Sequence, residues 1–299
     1  MKIFLLGSNG QLGKELERQL SSVGNVVAFS RKSLDITNHA AVRDAVHRMH
    51  PNIIVNAAAY TAVDKAETAS DFAHAVNAVA VENLAQIARD ESAWLLHYST
   101  DYVFDGSKKF PYCETDTPNP INVYGTSKLA GETAIAVAAC QHLIFRTSWV
   151  IGKDGNNFAK TILRLAIERD VLKVIEDQIG VPSSPSLITR VTIDAIRAIE
   201  RGKAWPDGIY HLAPNGKTSW HEIARTLIAY AQQENFPLRT QLAGIKAITT
   251  SEFPTAAKRP LNSLLNTNKL QSQLPFDLPH WKDELLAVAG DIVKELQTS

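Results

Sequence analysis

Cysteine is scarce in this 299-residue chain, which holds only Cys113 and Cys140. With no CxxC pair and no Cys/His cluster at zinc spacing, no disulfide framework or structural zinc site is expected, and a reducing cytoplasm suits the chain. An excess of either charge is missing too: 31 Lys plus Arg stand against 31 Asp plus Glu. Binders of nucleic acid or of membrane surfaces need a basic surplus, so neither class is expected. No apolar run approaches the ~20 residues of a membrane helix. The opening Met1-Lys2-Ile3-Phe4-Leu5-Leu6 stops at Gly7, too early for the core of a signal peptide. Repeats and low-complexity tracts are also lacking. What remains, 45% hydrophobic and 21% charged residues, is the composition of a folded globular protein. At this length it can bury a core without staples.

The first half alternates strand-length apolar runs with amphipathic stretches. Ile3-Phe4-Leu5-Leu6, Val26-Val27-Ala28-Phe29, Ile53-Ile54-Val55, Trp94-Leu95-Leu96-His97-Tyr98 and Leu143-Ile144-Phe145 read as strands. Between them, spacings such as Leu12, Leu16 and Leu20, or Ala41, Val42, Ala45, Val46 and Met49, mark helices with one apolar face. A single helical stretch is expected through Ala75, Val79, Leu84 and Ile87, and another over Val123 to Ala138. Strands without polar alternation are buried on both faces, and helical crossovers make them parallel. The fold class is therefore α/β, a Rossmann-like doubly wound parallel sheet with a smaller C-terminal α/β lobe. Residues 1–150 form the dinucleotide-binding part. Residues 151–299 form mainly a substrate lobe, with helices near 158–168, 187–201, 220–233 and 281–296 and strands near 173–176 and 209–212. Some of its segments are expected to return to the main sheet.

Gly7-Ser8-Asn9-Gly10-Gln11-Leu12-Gly13 follows the first strand and opens the first helix. Glycine permits the tight turn, the close approach of backbone to a pyrophosphate and tight helix packing. The helix N-terminus then offers free N–H groups to the anion. Gly7, Asn9, Gly10, Gln11, Leu12 and Gly13 are thus candidate cofactor residues. The second strand runs into Ser30-Arg31, with no acid to accept from the 2′-hydroxyl of NAD. Arg31 can instead hold a 2′-phosphate, so NADPH is expected on Ser30 and Arg31, with NADH as the alternative. Asp35 and Ile36 are placed to touch the adenine.

Tyr124 and Lys128 stand four apart, on one face of the helix expected there. A free phenol titrates near ~10. A nearby ammonium favours the phenolate and makes the pair a tuned proton donor and acceptor. A hydroxyl belongs at the end of the fourth strand, where Ser99 and Thr100 lie, and Thr100 is the candidate.

A glycine loop spaced GxxGxxG together with Thr100, Tyr124 and Lys128 resembles the extended short-chain dehydrogenase/reductase family. The likeness continues through residues 56–67, Tyr98-Ser99-Thr100-Asp101-Tyr102, Phe145-Arg146-Thr147-Ser148-Trp149, Gly155-Asn156-Asn157-Phe158, Asp177-Gln178-Ile179-Gly180-Val181-Pro182 and Arg259-Pro260-Leu261-Asn262-Ser263. Together these run almost end to end. The resemblance is closest to the branch that delivers hydride to carbon four of dTDP-6-deoxy-L-lyxo-4-hexulose. It implies that Tyr124 protonates the alkoxide, Lys128 tunes Tyr124 and binds the nicotinamide ribose, and Thr100 bonds the reacting oxygen. By the same likeness Ala58, Ala59, Thr61 and Tyr98 lie along the cofactor. Asp101, Trp149 and Asn157 line the sugar-nucleotide pocket, and Arg259 meets the diphosphate.

Some members of that family dimerise through magnesium held by two glutamates. Glu15 fits one, but Val181-Pro182-Ser183-Ser184-Pro185-Ser186 has no acid. No metal is therefore expected, and a monomer or weak homodimer is. Two alternatives stay open: an epimerase or dehydratase on the same scaffold, and a non-catalytic dinucleotide-binding subunit. A 4,6-dehydratase would want two acids after Thr100, where Asp101 is followed by Tyr102; an epimerase would favour an acid near position 30.

Overall fold

The computed structural model describes residues 1–298. Its strands are β1 (Lys2–Leu6), β2 (Asn25–Phe29), β3 (Ile53–Asn56), β4 (Trp94–Thr100), β5 (His142–Thr147), β6 (Leu172–Ile175), β7 (Ile179–Gly180), β8 (Gly208–His211), β9 (Thr218–Ser219) and β10 (Ile245–Ile248). The helices are α1 (Gln11–Leu20), α2 (His39–Met49), α3 (Val63–Ala66), α4 (Ser70–His74), α5 (Ala80–Asp90), α6 (Val123–Ala138), α7 (Phe158–Glu168), α8 (Pro185–Glu200), α9 (Trp220–Gln233), α10 (Asn268–Gln271) and α11 (Trp281–Thr298).

Six strands make one sheet in the order β2-β1-β3-β4-β5-β8, every pair parallel. This is the doubly wound sheet that the alternation of apolar runs predicts. Side chains alternate between two apolar layers, because both faces carry helices. Ile3, Leu5, Ile53, Val55, Leu96 and Phe145 pack with Leu16 and Leu20 of α1 and with Leu187, Ile188 and Val191 of α8. Phe4, Leu6, Ile54, Leu95 and Ile144 pack on the other face with α2, α5 and α6. The order reverses between β1 and β3, so a crevice opens at their carboxyl ends.

The chain beyond residue 150 returns to this body, above all through β8 and α8. The segment expected at 209–212 is β8, hydrogen-bonded to β5 from Leu143↔Gly208 to Arg146↔His211, and α8 lies against α1. The segment expected at 173–176 is β6, which pairs with β10 in a separate two-stranded sheet. That sheet and α7, α9 and α11 close two further apolar clusters around Leu163, Ile223, Leu227, Trp281 and Ile292, and around Ile162, Val174 and Ile228.

One helix differs from the sequence reading. The stretch expected as continuous through Ala75 and Ile87 is α4, then a π-helical turn over Ala75–Val79, then α5. The wider turn carries one extra residue, and Asn77 in it is buried. From there its amide bonds Tyr60 in the loop after β3 and Ser127 on α6.

Candidate active site

The crevice between β1 and β3 is shaped by missing side chains. Gly7 adopts φ +82°, and a Cβ there would stand 2.5 Å from the Ala58 nitrogen. A Cβ on Gly13 would stand 2.0 Å from the Gly7 oxygen, so α1 can approach the loop only with glycine at this place. Gly10 is the N-cap of α1, and no side chain among the described residues caps it. The first-turn N–H groups are thus left for an anion. Gly7, Asn9, Gly10, Asp35, Ile36, Ala58 and Ala59 line one cleft with Arg31. Leu34, Ala57, Tyr60, Phe72 and Val76 line it too, and sequence reasoning singled out none of the five. Arg31 stands 5.2 Å over the Phe72 ring and 3.2 Å from Asp35, with its end in solvent. The bonds that Asp35 accepts from Thr37 and Arg31 hold its carboxyl below the usual range, so it keeps its charge. The Ser30 hydroxyl turns to Ser33. Leu12 packs into the core beneath the loop, and Thr61 is exposed outside the lining of the cleft.

At the carboxyl end of β4, alternation sends neighbouring hydroxyls to different partners. Ser99 donates to buried Glu132, whereas Thr100 faces Tyr124, whose phenol is hydrogen-bonded to it. The N-terminus of α6, which carries Tyr124, is fixed twice. Asn122 caps it by accepting from the Gly125 nitrogen at 2.8 Å, and Glu67 accepts from the Val123 nitrogen at 2.9 Å. Burial pushes the Tyr124 phenol up to about 12, so it holds its proton. The expected lowering by Lys128 is not seen. The lysine points instead to the Tyr98 carbonyl at 2.7 Å and to His97 Nε2 at 3.1 Å, and burial brings it down to about 8. Tyr98 itself points to the other face, bonded to Thr192 at 2.8 Å within the α8 core. What it offers the site is its carbonyl rather than its ring. Glu132 accepts from Arg146 at 2.6 and 3.0 Å, an ion pair almost wholly out of water.

The residues assigned to the sugar nucleotide are spread more widely. Asp101 is 3% exposed, and burial pushes its carboxyl up to about 7 against hydrogen bonds from Ser263 and Thr100. Its Oδ2 has no partner among the described residues. Arg259 is held by Asp64 at 2.6 and 3.1 Å and also reaches Tyr102, whose ring lies edge-on to Tyr124. Its charge is therefore already partly met. Trp149, at φ +46°, stacks on Trp220 at 3.9 Å and covers Gly180. Asn157 uses its amide to cap α7 and to reach Gln11 Oε1 at 2.9 Å and the Gly152 carbonyl at 2.6 Å. Gln11 and Asn157 thus tie the glycine loop to the second half of the chain. Glu15, the glutamate of the magnesium comparison, is engaged by Arg18 and Gln19.

Residues 1–293 match the family model described as the RmlD substrate binding domain. The dTDP-4-dehydrorhamnose reductase of Escherichia coli K12 is 46% identical over 94% of this chain and 95% of its own length. The dTDP-4-dehydrorhamnose reductase of Bacillus anthracis, solved in complex with NADP, superposes with a TM-score of 0.88 at 36% identity, covering 96% of this chain and 98% of that one. A dTDP-glucose 4,6-dehydratase from Streptomyces venezuelae, at 15% identity and a TM-score of 0.81 over 100% of this chain and 98% of its own, shares the fold.

Proposed function

Because the chain belongs to the family of the RmlD substrate binding domain, that of the dTDP-4-dehydrorhamnose reductases, we propose that it reduces dTDP-6-deoxy-L-lyxo-4-hexulose to dTDP-L-rhamnose with Tyr124 as proton donor. It is an oxidoreductase of nucleotide-sugar metabolism that uses NADP(H). The cofactor supplies the hydride. Gly7, Gly10 and Gly13 leave room for its pyrophosphate at the start of α1, Ala58 and Ala59 flank it, and Arg31 favours the 2′-phosphate of NADPH. The observation that carries the reading is the Thr100–Tyr124 hydrogen bond at the carboxyl end of β4, beside the glycine-built crevice.

A phenol kept protonated by burial can donate as negative charge grows on the carbonyl oxygen, and Thr100 can donate to the same oxygen. Lys128, one turn after Tyr124 on α6 and buried against the Tyr98 carbonyl, would hold the nicotinamide ribose. Asp101 and Trp149 would line the sugar pocket, and Arg259 would meet the diphosphate by turning part of its guanidinium from Asp64. Asn157 acts through Gln11, holding the second half of the chain against the loop. The protein works in the cytoplasm on a small molecule, as a monomer or weak homodimer. No helix among the described residues is long and apolar enough to cross a membrane.

Mixing the protein with NADPH and the dTDP-hexulose tests this. Loss of nicotinamide absorbance matched by dTDP-L-rhamnose is expected. Nucleotide binding without turnover would favour the regulatory subunit, and an altered sugar with no net oxidation of cofactor would favour the epimerase.

A further inference from the structure

The amino-terminal edge of the sheet, opposite the glycine loop, gathers three donor side chains that the proposed reaction does not use. Helices α2 and α5 pack together and end side by side there, just before β3 and β4 begin. His47 lies in the last turn of α2, His50 caps that helix at φ +45°, and Glu91 caps α5. The carboxylate accepts from both rings: His47 Nδ1 meets one oxygen at 2.9 Å, and His50 Nδ1 meets the other at 2.9 Å. The rings stand edge to face, with centroids 5.1 Å apart. All three donor atoms lie within 4.8 Å of one another. Donors on a tetrahedral zinc, with bonds of roughly 2.0–2.2 Å, stand about 3.3–3.6 Å apart. Small side-chain rotations would therefore let one ion take the place of the two ring protons. Both rings are free to make them, with side chains 71% and 63% exposed. Spacing along the chain hides this group, because Glu91 stands 44 residues from His47.

We propose that His47, His50 and Glu91 bind one divalent transition-metal ion of the zinc class, which clamps the ends of α2 and α5 together. Two imidazole nitrogens and a carboxylate suit zinc, nickel or copper, whereas magnesium and calcium ask for oxygen donors. The surroundings favour a cation. Both helices turn their carboxyl ends toward the site, with unpaired carbonyls and the negative end of each macrodipole. The Lys2 ammonium takes one of those carbonyls, that of Met49, at 3.0 Å. Arg43 and Arg89 are held by Asp90 rather than by Glu91. Hydrogen bonds from His47 and His50 keep the Glu91 carboxyl below its usual range, so its charge is available at neutral pH. On binding, each ring passes its Nδ1 proton to Nε2 or to solvent and gives the freed lone pair to the metal. No electron changes hands. His50 and Glu91 also line an open hollow with Asn52 and Gln141, where water can complete the coordination.

Isothermal titration of the untagged protein with ZnCl2 tests the site, whether or not the proposed reaction holds. One Zn²⁺ per chain is expected, with no comparable binding of MgCl2. His47→Gln and His50→Asn each remove one ring, and asparagine tolerates the left-handed cap at position 50. Each should weaken zinc affinity by at least the roughly 10–100-fold that loss of an outer-shell partner costs a metal site. Thermal unfolding gives a second reading. Zn²⁺ should raise the Tm of the parent by mass action and leave that of the double variant unmoved. No binding of Zn²⁺, or binding as tight in either variant as in the parent, would overturn the proposal. Nitrogen NMR of the histidine-labelled parent needs no variant at all. Zn²⁺ should move two rings to the form with the metal on Nδ1 and the proton on Nε2, and rings that do not respond would equally overturn the site.

Discussion

The two halves of the sheet's carboxyl edge are built by opposite means. At β1, β2 and β3 the crevice exists because side chains are absent: Gly7 and Gly13 leave backbone against backbone, and β1 and β3 beneath are buried, mainly apolar strands. At β4 and β5 the edge is crowded with buried polar groups. His97, Thr100, Asp101, Lys128, Glu132 and Arg146 are each 5% exposed or less, and almost all are matched partner to partner. A half built on emptiness asks only that nothing be added. A half built on saturation asks that nothing be removed, because each buried polar group left alone costs free energy. The first suits a large ligand held by backbone, and the second suits a reaction that moves charge by one proton.

Substitutions can break this contrast. The largest effect is expected on the saturated side. Glu132→Gln leaves the Arg146 guanidinium buried without its carboxylate and should cost about 3–5 kcal/mol of stability, read from urea unfolding. A variant as stable as the parent would show that the polar half is not so tightly coupled. On the empty side, Gly13→Val should leave the protein folded by circular dichroism but lower its affinity for NADPH by roughly a hundredfold, through overpacking worth about 1–3 kcal/mol. Retained affinity would mean that α1 is not held against Gly7 as the geometry demands.

A smaller effect is expected at the rim of the cleft. Arg31→Asp should shift the preference for NADPH over NADH by roughly tenfold, or about 1.4 kcal/mol, the low end for one charge-assisted bond because the guanidinium is exposed. Turnover with each cofactor measures it, and an unchanged ratio would remove Arg31 from the site. The effect smallest near neutral pH, and growing as the pH falls, is acid sensitivity. Burial, reinforced by Arg146, pulls His211 down to about 3, and His97 also lies well below its usual range. Both stay neutral when folded but bind protons when unfolded, once the pH falls below the unfolded value of 6.5. Stability is therefore full above that pH and declines below it, by roughly 1 kcal/mol per pH unit for each ring. Hydrogen exchange should show β4, β5 and β8 losing protection before β1 and β3, which carry no buried histidine.

The same contrast governs what could be read in the sequence. The glycine loop is local: seven consecutive residues, placed after an apolar run and before a helical period, specify both a turn and its use. Tyr124 and Lys128 were legible for the same reason, being one helical turn apart. Arg146 with Glu132, and His97 with Asn56, are legible only in space, because strands distant in sequence bring them together. His97 therefore read as a core residue. The π-turn at Ala75–Val79 escaped because one extra residue leaves no mark on an apolar period already rich in alanine. Phe72 escaped because its neighbours in the cleft come from other loops. In the second half of the chain, the contacts of Trp149 with Trp220 and of Asn157 with Gln11 join residues distant in sequence, and no spacing shows them.

Replacing Tyr124 with Phe, and measuring NADPH binding by fluorescence alongside turnover of the dTDP-hexulose, tests the account most directly. Cofactor affinity within about twofold of the parent is expected, because the cleft is untouched, together with turnover lower by roughly 10²-fold or more. Turnover within about tenfold of the parent would contradict the account, since some group other than the phenol would then hand the proton on.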